Sequence, residues 1–318
     1  MASTRDPGRD CGRAAVAGLG LARGRAYRGV MSEPRSYQID APRIRLNIVE
    51  WGDPAAPPLI LQHGGRDHAR SWDWVAQAFA GSHRVIVPDL RGHGDSEWSR
   101  DGGYDLFAYL EDFAAIVRLL DLPPCAMVGH SLGGNIVTRF AGLYPDRVTR
   151  LVNIEGLGDS PEVVARRAAE DQLALLRNYL EERARHLARR PRDYPDRAAL
   201  FERMRQIDPR LTAETVEHLA LHAARDNPDG TVRLKHDPAL FPPNGVDIPH
   251  ATKELMWAAI ACPVLLVYGA DSWASNPAVD GRASHFRDAR VELFADAGHW
   301  VHHDRRADFI AQLRDFLG

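Results

Sequence analysis

The sequence predicts an α/β protein built on parallel strands, and three observations carry that reading. Short apolar runs of strand type recur along the chain. Patterns of helical period follow several of them, and the residues capable of chemistry collect in the loops just past the strand ends. In chain order, residues 58–62 and 84–88 are apolar strands ending in His63-Gly64-Gly65 and in the polar, glycine-rich segment 89–96. Residues 125–128 form a third run, and Leu132, Ile136, Val137, Phe140 and Leu143 then recur with helical spacing. Residues 151–154 and 263–268 are further buried-type strands, and residues 290–294 alternate as a half-buried strand should.

Gly129-His130-Ser131-Leu132-Gly133 joins the third run to its helix, and this is the most specific motif in the chain. A sharp strand-to-helix turn forces its central residue into strained backbone and pushes the hydroxyl out at the strand's carboxyl end. Glycines two before and two after are needed because a Cβ at either place meets the neighbouring backbone. The N–H of Leu132 opens the helix, where it is free and carries the positive end of the dipole. A plain glycine turn is the bland alternative, and the partners downstream weigh against it.

A serine hydroxyl needs a base, and the base needs an orienting group. His299 lies in the loop after the last strand, and Asp271 lies just past the strand 263–268. Ser131, Asp271 and His299 then stand in the order nucleophile, acid, base that this kind of turn uses. Glu155 and Asp159 are rival acids past strand 151–154, and Asp296 sits too close along the chain to His299 to orient it. His302 and His303 read as partly exposed residues at a helix start. His218 and His222 are spaced i,i+4 but lack the glutamate of a zinc-protease helix and any evident third ligand, so no metal is expected. The oxyanion donors expected are the amides of Leu132 and Gly65, the latter free to swing because it has no side chain. Segment 89–96 reads as a self-bonded turn shaping the rim.

These motifs, in this order over about residues 36–318, resemble the α/β-hydrolase fold superfamily, and among its members the capped serine hydrolases. The resemblance implies an open, mostly parallel eight-stranded sheet with helices on both faces and a helical cap inserted after the sixth strand. It divides the chain into 36–157 as the first part of the core, 158–249 as the cap and 250–318 as the second part of the core, while the composition of residues 1–30 reads as a disordered extension. Epoxide hydrolases and haloalkane dehalogenases share the fold but place aspartate where Ser131 stands.

Composition bounds the rest. The 318 residues suffice for one catalytic domain and an insertion, and 45% hydrophobic with 26% charged residues is ordinary for a globular enzyme. A net charge of −3 gives no case for nucleic acid or acidic membranes. Cys11, Cys125 and Cys262 are few and widely spaced, which favours a reduced, cytoplasmic protein, and with no apolar run long enough to span a membrane, no stable membrane anchoring is expected. The arginine-rich first thirty residues suit neither a secretory nor a mitochondrial leader, and Met31 is a candidate start. His63, His130, Trp257, Trp273 and Trp300 are candidates to line the substrate pocket, with core packing an equal alternative for the tryptophans. The expected activity is cofactor-independent hydrolysis of a small, moderately apolar carboxylic ester through an acyl-enzyme. Carbon–carbon bond hydrolysis beside a ketone, or non-catalytic binding of a small molecule, are the alternatives. Oligomeric state is not readable.

Overall fold

The computed structural model describes residues 33–240 and 247–318. The expectations about residues 1–30, Met31 as a start and Cys11 lie outside these residues. The chain opens with β1 (Arg35–Ala41) and β2 (Ile44–Trp51), an antiparallel pair, followed by β3 (Pro58–Gln62), α1 (Asp73–Phe79) and β4 (Arg84–Pro88). Next come α2 (Leu106–Leu119), β5 (Cys125–His130), α3 (Leu132–Leu143) and β6 (Val148–Ile154). After β6 the chain leaves the sheet for α4 (Pro161–Ala168), α5 (Gln172–Leu187), β7 (Asp193–Tyr194), α6 (Arg197–Ile207), α7 (Ala213–Ala223), β8 (Ala224–Asp226) and β9 (Val232–Leu234). It returns through α8 (His250–Ala259) to β10 (Val264–Gly269), β11 (Ala289–Phe294), α9 (Val301–Asp304) and α10 (Arg306–Leu317).

Eight strands form one sheet in the order β1-β2-β4-β3-β5-β6-β10-β11. β2 pairs antiparallel with β1 and β4, and the remaining neighbours are parallel. Strand alternation splits the core into two layers. Ile60, Met127 and Leu266 point into the layer shared with α2, α3 and α8, while Leu59, Leu61, Val128 and Val267 point into the layer shared with α1 and α10. Burial on both faces explains why these strands read as continuous apolar runs. Each fully buried aliphatic side chain contributes about 1.5–3 kcal/mol.

The segment between β6 and α8 contains more than helices. β7, β9 and β8 form a small antiparallel sheet, with a turn at Asn227–Gly230 closing the β8–β9 hairpin. Its helices start on side-chain caps: Ser160, Asp171, Asp196 and Thr212 each accept a backbone N–H of the first turn. Leu173, Leu176 and Leu180 lie on one side of α5 as their spacing predicts, and all three are exposed.

Candidate active site

The turn between β5 and α3 is built as its glycines require. Ser131 sits at φ 52°, ψ −114°, a conformation that non-glycine residues rarely adopt. A Cβ on Gly129 would lie 2.5 Å from the carbonyl oxygen of Gly133, and one on Gly133 would lie 2.3 Å from that of Gln62. Two hydrogen bonds fix the turn: Ser131 N–H donates to Ile154 O at 2.8 Å, and Asn135 N–H donates to Ser131 O at 3.0 Å. The serine is therefore locked to the end of β6 as well as to its own strand and helix.

The loops after β6, β10 and β11 meet at the same sheet edge. Glu155, the first residue past β6, is at φ 51° and buried. Its Oε1 accepts the N–H of Gly269 at 2.8 Å, and its Oε2 accepts the hydroxyl of Ser272 at 2.6 Å. The same Oε2 lies 2.5 Å from Nδ1 of His299. That ring is therefore held in the tautomer with hydrogen on Nδ1, leaving Nε2 as its basic nitrogen.

The expectation that Asp271 orients His299 is corrected by this geometry. Asp271 keeps its backbone near the histidine loop, donating its N–H to Ala297 O at 2.9 Å. Its carboxylate instead turns outward to Arg210 at 3.0 Å and is about half exposed. The side chain of Glu155 is one methylene longer and starts closer to the strand end, so it occupies the buried position. Ser272, which anchors Glu155 from the β10 loop, was not singled out from the sequence; a hydroxyl one residue past a candidate acid was the available signal.

Around this pair, His130 is 1% exposed and its Nε2 hydrogen-bonds the carbonyl of His299 at 2.9 Å. Burial pushes the His130 imidazole well below its ordinary range, with the neighbouring His299 ring as the second cause. His63 is fully buried, donates from Nδ1 to Gly64 O at 2.7 Å and accepts the Leu90 N–H on Nε2 at 3.0 Å. Burial lowers it to about 4. Neither histidine faces solvent, so both belong to the frame and not to a pocket wall. Trp257 is likewise core, stacked on Phe286 at 5.6 Å between ring centres. Trp273 is different: it is 80% exposed and its ring centre lies 4.9 Å from that of His299. Trp300 is half-buried and edge-on to His299 at 5.2 Å.

The loop after β3 runs close by. A Cβ on Gly64 would come within 3.3 Å of the Ser131 Cβ, and one on Gly65 would meet only the Leu132 side chain, at 3.9 Å. Gly65 is exposed and Leu132 half-buried. Segment 89–96 is self-bonded: Asp89 accepts the N–H of Ala69 and of Asp95 and an amide hydrogen of Asn47, while Ser96 donates to Asp89 O. Burial raises the Asp89 carboxyl to about 6. His302 and His303, expected to be partly exposed, are buried at 1% and 8%.

This strand order, with a strained serine after β5 and a histidine after the last strand, matches a known architecture. The family model for the alpha/beta hydrolase fold matches residues 57–306. The chain belongs to the α/β-hydrolase family. Among its relatives, an sn-1-specific diacylglycerol lipase of Mus musculus is 28% identical over 84% of this chain and 82% of its own. An esterase of Mycobacterium tuberculosis is 26% identical over 86% of each chain, and its solved structure covers 90% of this chain with a TM-score of 0.70. The thioesterase domain from the curacin biosynthetic pathway superposes with a TM-score of 0.77 at 25% identity, covering 89% of this chain and all of the domain. This α/β hydrolase thus has esterase- and lipase-like kin. No helix among the described residues is long and apolar enough to cross a membrane.

Proposed function

We propose that this α/β hydrolase is a serine esterase in which Ser131 is the nucleophile, His299 the base and Glu155 the orienting carboxylate. The observation that carries the proposal is the 2.5 Å contact between His299 Nδ1 and a Glu155 carboxylate held by two further donors. A carboxylate so fixed keeps the imidazole in one tautomer and stabilises its protonated form during the reaction. Nε2 takes the proton from the Ser131 hydroxyl as Oγ bonds to the acyl carbon. The tetrahedral oxyanion is received by the amides of Leu132 and Gly65. Collapse breaks the bond to the alcohol oxygen, which leaves with the proton from His299. Water then attacks the acyl carbon and gives its proton to the same nitrogen; the bond to Ser131 Oγ breaks, Oγ takes that proton back from His299, and the acid leaves.

The substrate class is a moderately apolar carboxylic ester. Supporting this are Trp273 and Trp300 beside the base, and the esterase, lipase and thioesterase named among the similar proteins. The segment between β6 and α8 is read as the cap that shapes the acyl and alcohol sites.

The test is labelling with a fluorophosphonate probe, paired with turnover of p-nitrophenyl esters of graded chain length. Wild type should be labelled and active, and Ser131→Ala should be neither while remaining folded. A folded wild type that resists the probe and leaves every ester intact would sink the proposal.

A further inference from the structure

Outside the proposed triad, Asp67, His302 and His303 bring a carboxylate oxygen and two imidazole nitrogens within 4.8 Å of one another. They come from a loop and a short helix. Asp67 lies two residues past Gly65 in the loop after β3, and the histidines lie in α9, three and four residues past His299. Both histidines are more than nine-tenths buried, and neither Nδ1 nor Nε2 of either ring has a hydrogen-bond partner among the described residues. An unpaired buried polar group costs about 1–3 kcal/mol, so two such rings, each bringing a nitrogen to one carboxylate, call for an occupant.

The rings are held in place by packing. His302 stacks on Trp72 at 4.5 Å, His303 lies 4.2 Å from His302, and Trp74 meets His303 edge-on at 6.2 Å. Asp67 accepts the N–H of His68 at 2.8 Å and the hydroxyl of Ser71 at 2.9 Å, with no arginine or lysine against it among the described residues. Each of its oxygens keeps a lone pair to give. The nearby guanidinium of Arg306 is drawn onto the face of Trp74 and donates to Thr215.

We propose that Asp67, His302 and His303 form a binding site for a borderline divalent transition cation of the Zn²⁺ kind. Two imidazoles and one carboxylate suit such an ion, whereas Ca²⁺ and Mg²⁺ ask for oxygen alone. Tetrahedral ligands at about 2.0–2.1 Å from zinc stand roughly 3.3 Å apart, so side-chain rotations of about 1 Å complete the site. The bound ion ties the loop carrying Gly65 to the turn that follows His299. His130, with its ring centre 4.7 Å from those of both His299 and His302, lies between the ion and the base.

A second group, Asp73 with His218 and His222, supplies a built-in control. There two of the three donors, Asp73 and His218, are spent. Arg70 clamps the Asp73 carboxylate, and His218 Nε2 is engaged by Asp73 at 3.2 Å and by the carbonyl of Arg70 at 3.0 Å.

The full-length chain, dialysed against a chelator, is titrated with Zn²⁺ and followed by calorimetry and by thermal unfolding. One saturable site and a Tm that rises with Zn²⁺ are expected. His303→Gln and Asp67→Asn should each weaken binding at least about tenfold while keeping the wild-type circular dichroism in chelator, so that a folding failure of one leaves the other as the test. Ser131→Ala should bind as wild type, which separates this site from the catalytic reading. The double variant His218→Gln, His222→Gln should also bind as wild type. Absence of saturable binding, or binding that survives both site variants, or binding lost only in that double variant, overturns the proposal.

Discussion

At Glu155 the difference between a carboxylate that orients and one that merely sits nearby comes down to burial and partners. Glu155→Gln should lower kcat on an aryl ester by roughly 10⁴, the scale seen when a triad carboxylate becomes an amide and the imidazole takes the wrong tautomer. Asp271→Asn should stay within about threefold of wild type, because its exposed pair with Arg210 is worth about 1 kcal/mol or less. Equal losses from the two variants would return Asp271 to contention. The sequence left this choice open for a physical reason. β6 and β10 are parallel neighbours, with Ile154 opposite Val267, so each delivers a carboxylate to the same edge. Motif order points to the later one. What decides is the path of a few loop residues: the positive φ of Glu155 and the anchors from Gly269 and Ser272, neither of which leaves a periodic signal. Ser131 offers a related prediction. Its strained φ costs on the order of 1–3 kcal/mol, so Ser131→Gly should abolish turnover yet raise Tm, as read by thermal unfolding.

At the scale of elements, the close approach of α3 to its neighbours is the most demanding feature. A Cβ on Gly133 would stand 2.3 Å from the backbone of Gln62, and one on Gly156 would stand 2.5 Å from the Cα of Gly134. Backbone cannot yield as a side chain can. Gly133→Ala should therefore cost about 3 kcal/mol or more, measured by urea unfolding, whereas Gly230→Ala on the β8–β9 turn meets open space and is penalised only by its φ of 86°. The six strands named from the sequence match β3, β4, β5, β6, β10 and β11 closely, because burial on both faces writes itself as runs of apolar residues in the first five and half-burial as alternation in β11. The strands β7, β8 and β9 left no such trace, since two or three residues with one buried position carry too little pattern. The burial of His302 and His303 was hidden for a different reason: it depends on Trp72 and Trp74, more than two hundred residues away.

Over the whole molecule, acid is the weak direction. Burial holds His63, His222 and His236 at about 4 and His93 well below its ordinary 6.5, with neighbouring cations or imidazoles adding to it at His93, His222 and His236. A base whose folded pKa is lowered leaves the unfolded chain binding more protons between 6.5 and 4, so stability falls as pH drops through that window. His63 alone contributes up to about 3 kcal/mol. Asp89, raised to about 6, and Asp67, raised to about 7, work the opposite way, since burial makes their folded forms take up a proton first. Four histidines outweigh these two carboxyls, so Tm should drop from pH 6.5 to 4; a flat profile would contradict the assignment.

The place where the chain leaves and rejoins the large sheet has one more implication. Ser131 and Glu155 both precede the excursion after β6, twenty-four positions apart and stitched together by the bond from Ser131 N–H to Ile154 O, while His299 alone follows it. Insertions, deletions or hinge movement within that excursion therefore leave the serine–glutamate spacing untouched. If that excursion is the cap proposed above, substrate preference can drift there under selection without retuning the chemistry.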